Sequence, residues 1–279
     1  TFMKKKIIGI TGGSGVLGSK LIKNYKEIYS FNKFKGNITY KKDVINWINK
    51  NNFDYMIHLA AKVPVKYVEK NYKLSIKVNF NGTKNLIDAI NLSKKKIRWL
   101  FFASTAQVYN FSNNKISEKS KTKCISKYGL TKLMAEKYIV NNLKKDIDYT
   151  IGRIFSYTDK KQTLFYFIPS IRDRIKKTKK IFYTEKLEQK RDFIHINDLS
   201  NAIFFLLKKK YNGVINIGSG KGIKLNSVIN FFSKKYKKKI IYMRTKNKKK
   251  QDLCANIDKL KKIGFKNKHN LRDILEDFN

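Results

Sequence analysis

Ile7-Ile8-Gly9-Ile10-Thr11-Gly12-Gly13-Ser14-Gly15-Val16-Leu17-Gly18 stands at the head of the chain and decides how the rest is read. Ile7 to Thr11 is a short β-branched run, the glycines break it, and Val16 to Tyr25 carries apolar residues at helical spacing. In a strand–turn–helix the glycines at 12, 15 and 18 take separate jobs. One permits the tight turn, one lets backbone N–H groups approach a pyrophosphate, and one lets helix and strand pack closely. Ser14, Val16 and Leu17 complete the turn, and the positive end of the helix dipole faces the anion. The plainer reading is a glycine-bearing turn with no ligand. Its place directly after the first strand favours a dinucleotide site.

The second strand, expected near Ile28 to Phe31, bears on which dinucleotide. NAD sites place Asp or Glu at its end to hold the ribose hydroxyls. Here the stretch reads Tyr29-Ser30-Phe31-Asn32-Lys33-Phe34-Lys35, without an acid. Asn32 and Lys33 stand at that end, and Lys33 or Lys35 can meet a 2′-phosphate. NADP(H) is therefore favoured, with NAD(H) as the alternative.

Further along, strand and helix patterns alternate. Helices are expected at Asp43 to Asn51, Asn71 to Ser93 and Ser126 to Leu143, and strands at Tyr55 to Leu59, Arg98 to Ala103 and Tyr149 to Ile154. Such alternation predicts an α/β fold, a parallel sheet with helices on both faces. Beyond it the pattern gives a helix at Asp198 to Lys209, a strand at Val214 to Ile217, a helix at Leu225 to Tyr236 and a strand at Ile240 to Met243. Lys246 to Lys250 reads as a solvated loop. No linker separates two independent domains. Residues 3–155 are expected to form the dinucleotide-binding domain, and 156–279 a mixed segment that adds to its sheet and builds a cap.

The chain has 279 residues, with 63 Lys and Arg against 20 Asp and Glu. The lysines are scattered among Asn and Ile and arginine is scarce, which reads as compositional bias rather than a nucleic-acid surface. Nucleic acid is not an expected partner. Cys124 and Cys254 give neither a disulfide framework nor metal spacing. His58, His195 and His269 lie far apart, so no metal site is expected. The apolar run Ile7 to Ile10 is too short for a signal peptide, and no run of about eighteen apolar residues exists to span a membrane. A cytoplasmic protein is the expectation.

Tyr128-Gly129-Leu130-Thr131-Lys132 places a phenol and an ammonium four residues apart, on one face of a helix. A nearby cation favours a phenolate and lets the pair trade a proton with a hydroxyl or ketone. Alone this spacing is common in a lysine-rich chain. About twenty residues earlier, however, a strand runs into Ser104-Thr105-Ala106-Gln107-Val108-Tyr109. A strand end delivering a hydroxyl before a Tyr–Lys helix fits a Ser/Thr–Tyr–Lys triad, which holds a reacting oxygen during hydride transfer.

With these segments in order, the chain resembles the extended short-chain dehydrogenase/reductases, in their NAD-dependent epimerase/dehydratase branch. The matching segments run from Gly9 to about Phe265. Besides Thr11–Gly18, Ser104–Tyr109 and Tyr128–Lys132, they include Asp43-Val44, His58-Leu59-Ala60-Ala61, Val78-Asn79 with Gly82-Thr83, Arg191-Asp192-Phe193-Ile194 with Asp198-Leu199, and Asn216-Ile217-Gly218-Ser219-Gly220. The resemblance implies a Rossmann-type doubly wound parallel sheet with a small C-terminal α/β substrate-binding cap. It implies Thr105 as catalytic hydroxyl, also touching substrate, Tyr128 as general acid/base, and Lys132 as its tuner and a ribose ligand. It puts Asp43 and Val44 beside the adenine, Leu59, Ala60 and Ala61 along the cofactor cleft, and Asn79 near it. Arg191 and Arg244 become candidates for the substrate's phosphates. A homodimer through the Tyr–Lys helix is also implied.

Departures from the family pattern narrow the reaction. Its dehydratases carry Asp-Glu directly after the catalytic Thr, and here Ala106 and Gln107 stand there. Elimination of water is not expected, nor a decarboxylation needing the same Glu. Asn110 replaces the usual Gly after Val-Tyr, and Ser156 replaces the usual Asn after Arg153-x-Phe, both where substrate is gripped. The connection from the second strand to Asp43 is short, as in compact 4-keto-sugar reductases. The expected function is NAD(P)-dependent reduction of a nucleotide-linked 4-keto-6-deoxyhexose. A 4-epimerase with retained NAD is the alternative, and a non-catalytic dinucleotide- or RNA-binding module is the reading from another class.

Overall fold

The structure is a computed structural model that describes residues 5–243 and 251–278. The opening motif folds as strand, turn and helix: β1 (Ile7–Thr11), the glycine turn, and α1 (Val16–Tyr25). There follow β2 (Ser30–Lys33), α2 (Lys41–Lys50), β3 (Tyr55–His58), α3 (Val65–Lys70) and α4 (Tyr72–Ile76). A π-turn (Lys77–Asn81) leads into α5 (Gly82–Leu92). Next come β4 (Trp99–Thr105), a 3-10 turn (Ala106–Val108), α6 (Lys127–Asn142) and β5 (Asp148–Ile154).

The remainder supplies β6 (Ser156–Thr158), α7 (Phe167–Lys177), β7 (Ile181–Glu185), β8 (Lys190–His195), α8 (Ile196–Lys209) and β9 (Gly213–Ile217). It continues with β10 (Gly222–Lys224), α9 (Leu225–Lys235), β11 (Lys239–Met243), α10 (Asp258–Lys262) and α11 (Leu271–Glu276).

The main sheet has the order β2-β1-β3-β4-β5-β9, and its pairs from β2 to β5 are parallel. The chain leaves β1 toward β2 and then returns to the other side of β1 for β3. The strand order therefore reverses between β1 and β3. In open α/β sheets the crevice outside the carboxyl ends of the strands at such a point is where ligands bind. The fold thus agrees with the α/β, doubly wound expectation.

Two compact units divide the chain. The first comprises the residues up to Tyr109, Thr122–Ile154 and Ser200–Ile215. Its central strand β4 buries Trp99, Leu100, Phe101 and Phe102 completely. One face of the sheet packs on Ile48 of α2, Leu86, Ile87 and Ile90 of α5, and Ala135 and Ile139 of α6. Burial of side chains this size, at roughly 1.5–3 kcal/mol each, is what holds the helices to the sheet. The second unit comprises Asn110–Lys121, Phe155–Leu199 and the residues from Asn216 onward. It contains the sheet β10-β8-β6 and the parallel pair β11 and β7. Ile171 and Ile175 of α7, Val228 and Phe232 of α9, and Ile274 of α11 form its core.

Several boundaries differ from the sequence reading. The helix expected over Asn71 to Ser93 is present, but the π-turn interrupts it around Asn79. Strand β2 begins at Ser30 rather than Ile28, because Ile28 lies in the preceding turn, largely in solvent. Arg244 and the lysine run Lys246 to Lys250 lie outside the described residues.

Candidate active site

The glycine turn brings β1, α1 and the end of β3 into backbone contact. Gly12 has φ +71°, and a Cβ there would lie 2.7 Å from the Ala60 nitrogen. Only glycine serves where both the dihedral and the neighbouring backbone exclude a side chain. At Gly18 a Cβ would fall 2.4 Å from the Gly12 oxygen, so α1 can reach the turn only without one. Leu59 N donates to Thr11 O at 3.1 Å, and Ala60 N to Thr11 Oγ1 at 3.3 Å. Leu59, Ala60 and Ala61, half-buried, therefore lie beside the turn.

No side chain caps α1, its N-cap is Gly15, and its first turn holds no acid. The orphan N–H groups and positive dipole end of such a terminus suit a phosphate. At Gly15 a Cβ would meet nothing nearer than Gly12 O at 3.3 Å, so no side chain crowds the turn at that position. The residues present fit the pyrophosphate of a dinucleotide.

At the end of β2, Lys33 is exposed and its stem packs along the turn: a Cβ on Gly13 would lie 2.9 Å from Lys33 Cγ. Asn32 is committed elsewhere. It accepts from Trp47 Nε1 at 2.7 Å and donates to Asn51 Oδ1 at 2.7 Å. Asp43, in the first turn of α2, accepts from Asn37 N at 3.0 Å, and the Val44 side chain belongs to the core.

A directed hydrogen-bond chain joins the turn to α6. Thr83 Oγ1 donates its one proton to Asn79 O at 2.7 Å, so it accepts from His58 Nε2 at 2.8 Å. His58 Nδ1 then accepts from Thr11 Oγ1 at 2.6 Å. Asn79 Nδ2 donates to Thr131 Oγ1 at 3.0 Å, and Thr131 Oγ1 to Tyr128 O at 2.8 Å. Asn79 Oδ1 also accepts from Lys62 N at 2.6 Å. The π-turn aims Asn79 between α6 and the segment after β3, and such turns recur at functional sites.

Burial, then the nearby Lys132, pushes His58 down to about 3. The unfolded chain takes up this proton between about pH 6.5 and 3 while the folded chain does not. The unfolded state therefore binds more protons in that window, and stability falls as the pH falls. One such group contributes a slope of up to about 1.4 kcal/mol per pH unit. Denaturant unfolding of His58→Gln across that window is expected to show a shallower acid slope than the wild type; equal slopes would contradict the assignment.

Thr105 and the head of α6 are tied together through the 3-10 turn. Thr105 Oγ1 accepts from Gln107 N at 3.3 Å. Ser126 caps α6 by accepting from Gly129 N at 2.9 Å, and it donates to Gln107 Oε1 at 2.5 Å. Gln107 O accepts from Ile125 N at 3.1 Å. A Cβ on Gly129 would lie 2.2 Å from Gln107 O, so the helix touches the turn only through glycine. Thr105 is thereby fixed beside the turn on which α6, with Tyr128 and Lys132, begins.

The buried stripe of α6 is Gly129, Thr131, Lys132, Ala135, Glu136 and Ile139. Lys132 is 1 % exposed, with Nζ 4.1 Å from the centroid of the Phe102 ring. Burial lowers it to about 7, opposed by the charge of Glu136. An amine poised there exchanges its proton near neutrality.

The pattern of the NAD dependent epimerase/dehydratase family matches residues 8–218. The chain belongs to that family. It is 31 % identical over 223 residues to a GDP-6-deoxy-D-talose 4-dehydrogenase of Aggregatibacter actinomycetemcomitans, covering 76 % of this chain and 74 % of that one. It is also 31 % identical over 254 residues to a UDP-glucose 4-epimerase of Mycoplasma genitalium, covering 80 % and 74 %. The fold matches a UDP-glucose 4-epimerase of Thermotoga maritima, solved with UDP-glucose, with a TM-score of 0.85 at 20 % identity over 98 % and 97 % of the two chains. The chain is therefore an enzyme of an NAD-dependent, nucleotide-sugar-modifying family of epimerases, dehydratases and reductases.

In this epimerase/dehydratase-family enzyme the other two expected substrate residues lie in the second unit. Ser156 is half-buried in β6, opposite Phe193 of β8. Arg191, in β8, donates to Lys190 O at 2.9 Å and to Gln251 O, and its guanidinium lies over the Phe111 ring at 5.4 Å. Among the described residues no three His, Cys, Asp or Glu side chains cluster to hold a metal ion, and no helix is long and apolar enough to cross a membrane.

Gln107, Ser126, Gly129, Glu136, Arg153 and Thr131 were not singled out as site residues from the sequence. Glu136 carries a signal there: it stands four residues after Lys132, hence on the same helical face.

Proposed function

We propose that this enzyme reduces a nucleotide-linked 4-keto-6-deoxyhexose with NADP(H). The observation that carries the reading is the turn after Thr105. Its first two residues are Ala106 and Gln107, and the Gln107 amide is hydrogen-bonded to Ser126. No carboxyl stands there to eliminate water. Support for a freely exchanging NADP(H) comes from β2, whose end has no acid and whose Lys33 lies along the glycine turn.

The backbone of Gly12 to Leu17 would hold the pyrophosphate, Lys33 the 2′-phosphate, and Lys132 the nicotinamide ribose. Asp43 and Val44, with Leu59 to Ala61, would flank the remaining cofactor, and Asn79 would hold the segment after Ala61 in place. When bound, the cofactor supplies the hydride. Thr105 Oγ1 donates a hydrogen bond to the C4 carbonyl oxygen. Tyr128 gives its phenolic proton to that oxygen as negative charge develops there. Lys132, titrating near neutrality, returns a proton to the Tyr128 phenolate, and one proton per turnover is taken up from solvent. Ser156, Arg191 and Arg244 are assigned to the nucleotide part of the substrate. A cytoplasmic homodimer belongs to the same reading, and light scattering should report twice the mass of one chain.

Purified enzyme is expected to oxidise NADPH when given such a 4-keto sugar nucleotide, one turnover per cofactor consumed. Interconversion of two nucleotide sugars with no net NADPH consumption would replace this reading with 4-epimerisation. The Mycoplasma genitalium relative keeps that second reading in view.

A further inference from the structure

Behind the Thr105 turn lies a buried ion pair that the proposed chemistry does not use. Glu136, 3 % exposed, accepts from Arg153 Nη2 at 2.6 Å and from Arg153 Nε at 3.1 and 3.2 Å. It also accepts from Ser104 Oγ. Arg153, 7 % exposed, donates from Nη1 to Tyr109 OH at 2.9 Å, and its guanidinium lies 4.8 Å from the centroid of that ring.

The sequence positions of these contacts matter. Ser104 immediately precedes Thr105, and Tyr109 immediately follows the 3-10 turn that Thr105 opens. Glu136 stands one helical turn after Lys132 on the same buried stripe. Arg153 sits on β5, opposite Ser104 of β4. One carboxylate and one guanidinium thus grip both shoulders of the Thr105 turn and the lysine helix together.

We propose that Glu136 and Arg153 are positioning residues, a buried clamp that fixes the helix bearing Lys132 and Tyr128 in register with the strand end bearing Thr105. The inference rests on the reading of those three side chains as the reacting set. A pair made only for stability gains little from burial, since well-packed apolar residues serve as well or better. A fork of hydrogen bonds gives direction as well as attraction. The clamp also leaves a charge beside the amine. Lys132 is faced by Glu136 from its own helix, on which Tyr128 stands one turn before it, by neutral His58 from β3, and by the Phe102 ring from β4, with Arg153 of β5 behind Glu136. Of these, Glu136 is the anion that holds the proton on Lys132 against burial.

The test uses the intact enzyme labelled with 13C at the lysine Cε. The Lys132 signal titrates near neutrality, away from the other lysines, and Lys132→Met identifies it by its loss. In Glu136→Gln the midpoint is expected to fall, by on the order of one pH unit, because the Glu136 charge is what opposes burial at Lys132. With NADPH and the keto sugar nucleotide, kcat is expected to drop about tenfold or more while KM for NADPH stays within about threefold. Small misplacements of reacting groups act on turnover in this way. Ser104→Ala keeps the ion pair and reads positioning alone; its kcat should fall several-fold with the Lys132 midpoint unmoved.

Folded Glu136→Gln with an unmoved midpoint and kcat within about twofold of wild type would overturn the clamp. If Glu136→Gln does not fold, an unchanged kcat in Ser104→Ala overturns it. A shifted midpoint in an enzyme whose wild type ignores the keto sugar would uphold the link between Glu136 and Lys132 and reject the substrate reading instead.

Discussion

Tyr128→Phe is expected to lower kcat by about a hundredfold or more and to leave fold and cofactor affinity as they are, judging from typical acid/base contributions. The substitution removes one oxygen. The Tyr128 carbonyl still accepts from Thr131, Gly129 still rests on Gln107 O, and Ser126 still caps the helix. Lys132 remains buried over Phe102. What is lost is the group that would give a proton to the carbonyl oxygen as charge builds up on it. Thr105 can still offer a hydrogen bond, so a residual rate is expected. Steady-state turnover with the keto sugar nucleotide, beside a direct titration of NADPH binding, separates the two effects. Near-normal turnover in a folded variant would remove Tyr128 from the mechanism.

The parts of this site that could be read in the sequence are those whose physics is local. A glycine turn between strand and helix declares itself because only glycine tolerates φ +71° against the Ala60 backbone. Tyr128 and Lys132 are four residues apart on one helix, so their shared face follows from helical geometry. Family likeness places Asn79 near the cofactor but says nothing of the π-turn that swings it between Lys62 and Thr131. A π-turn leaves no mark in apolar spacing. Likewise β6, α7, β7 and β10 escaped the reading. β6 and β10 span only three residues each, too few to expose an alternation of two.

The clamp was hidden for another reason. Lys132 and Glu136 at a spacing of four look like an exposed helical ion pair, the commonest use of that pattern. In the structure both are buried, and the partner of Glu136 is Arg153 from β5. A charge set among Thr150, Ile151, Gly152 and Ile154, in the buried end of β5, is the other trace of it in the sequence. Only the parallel pairing of β4 with β5, which sets Ser104 opposite Arg153, turns that trace into a contact.

Arg153→Met is expected to be the most destabilising single change in this region, costing about 3–5 kcal/mol, because it strands a buried carboxylate. The removed guanidinium donates to both Glu136 oxygens and to Tyr109 OH. Burial works against the Arg153 charge, yet the hydrogen bonds and charge of Glu136 outweigh it and hold Arg153 above its ordinary range. Without that partner Glu136 retains the Ser104 hydroxyl, with Lys132 one turn away. The double variant Arg153→Met/Glu136→Leu removes both charges and fills similar space, so it should recover much of the loss while turnover stays low. Denaturant unfolding of both singles and the double gives the coupling energy. Losses that simply add would mean the pair is not coupled. A double variant that regained stability together with full turnover would mean the charges serve packing alone, since apolar side chains can fill the space but cannot hold Ser104 and Tyr109 by hydrogen bonds on either side of Thr105.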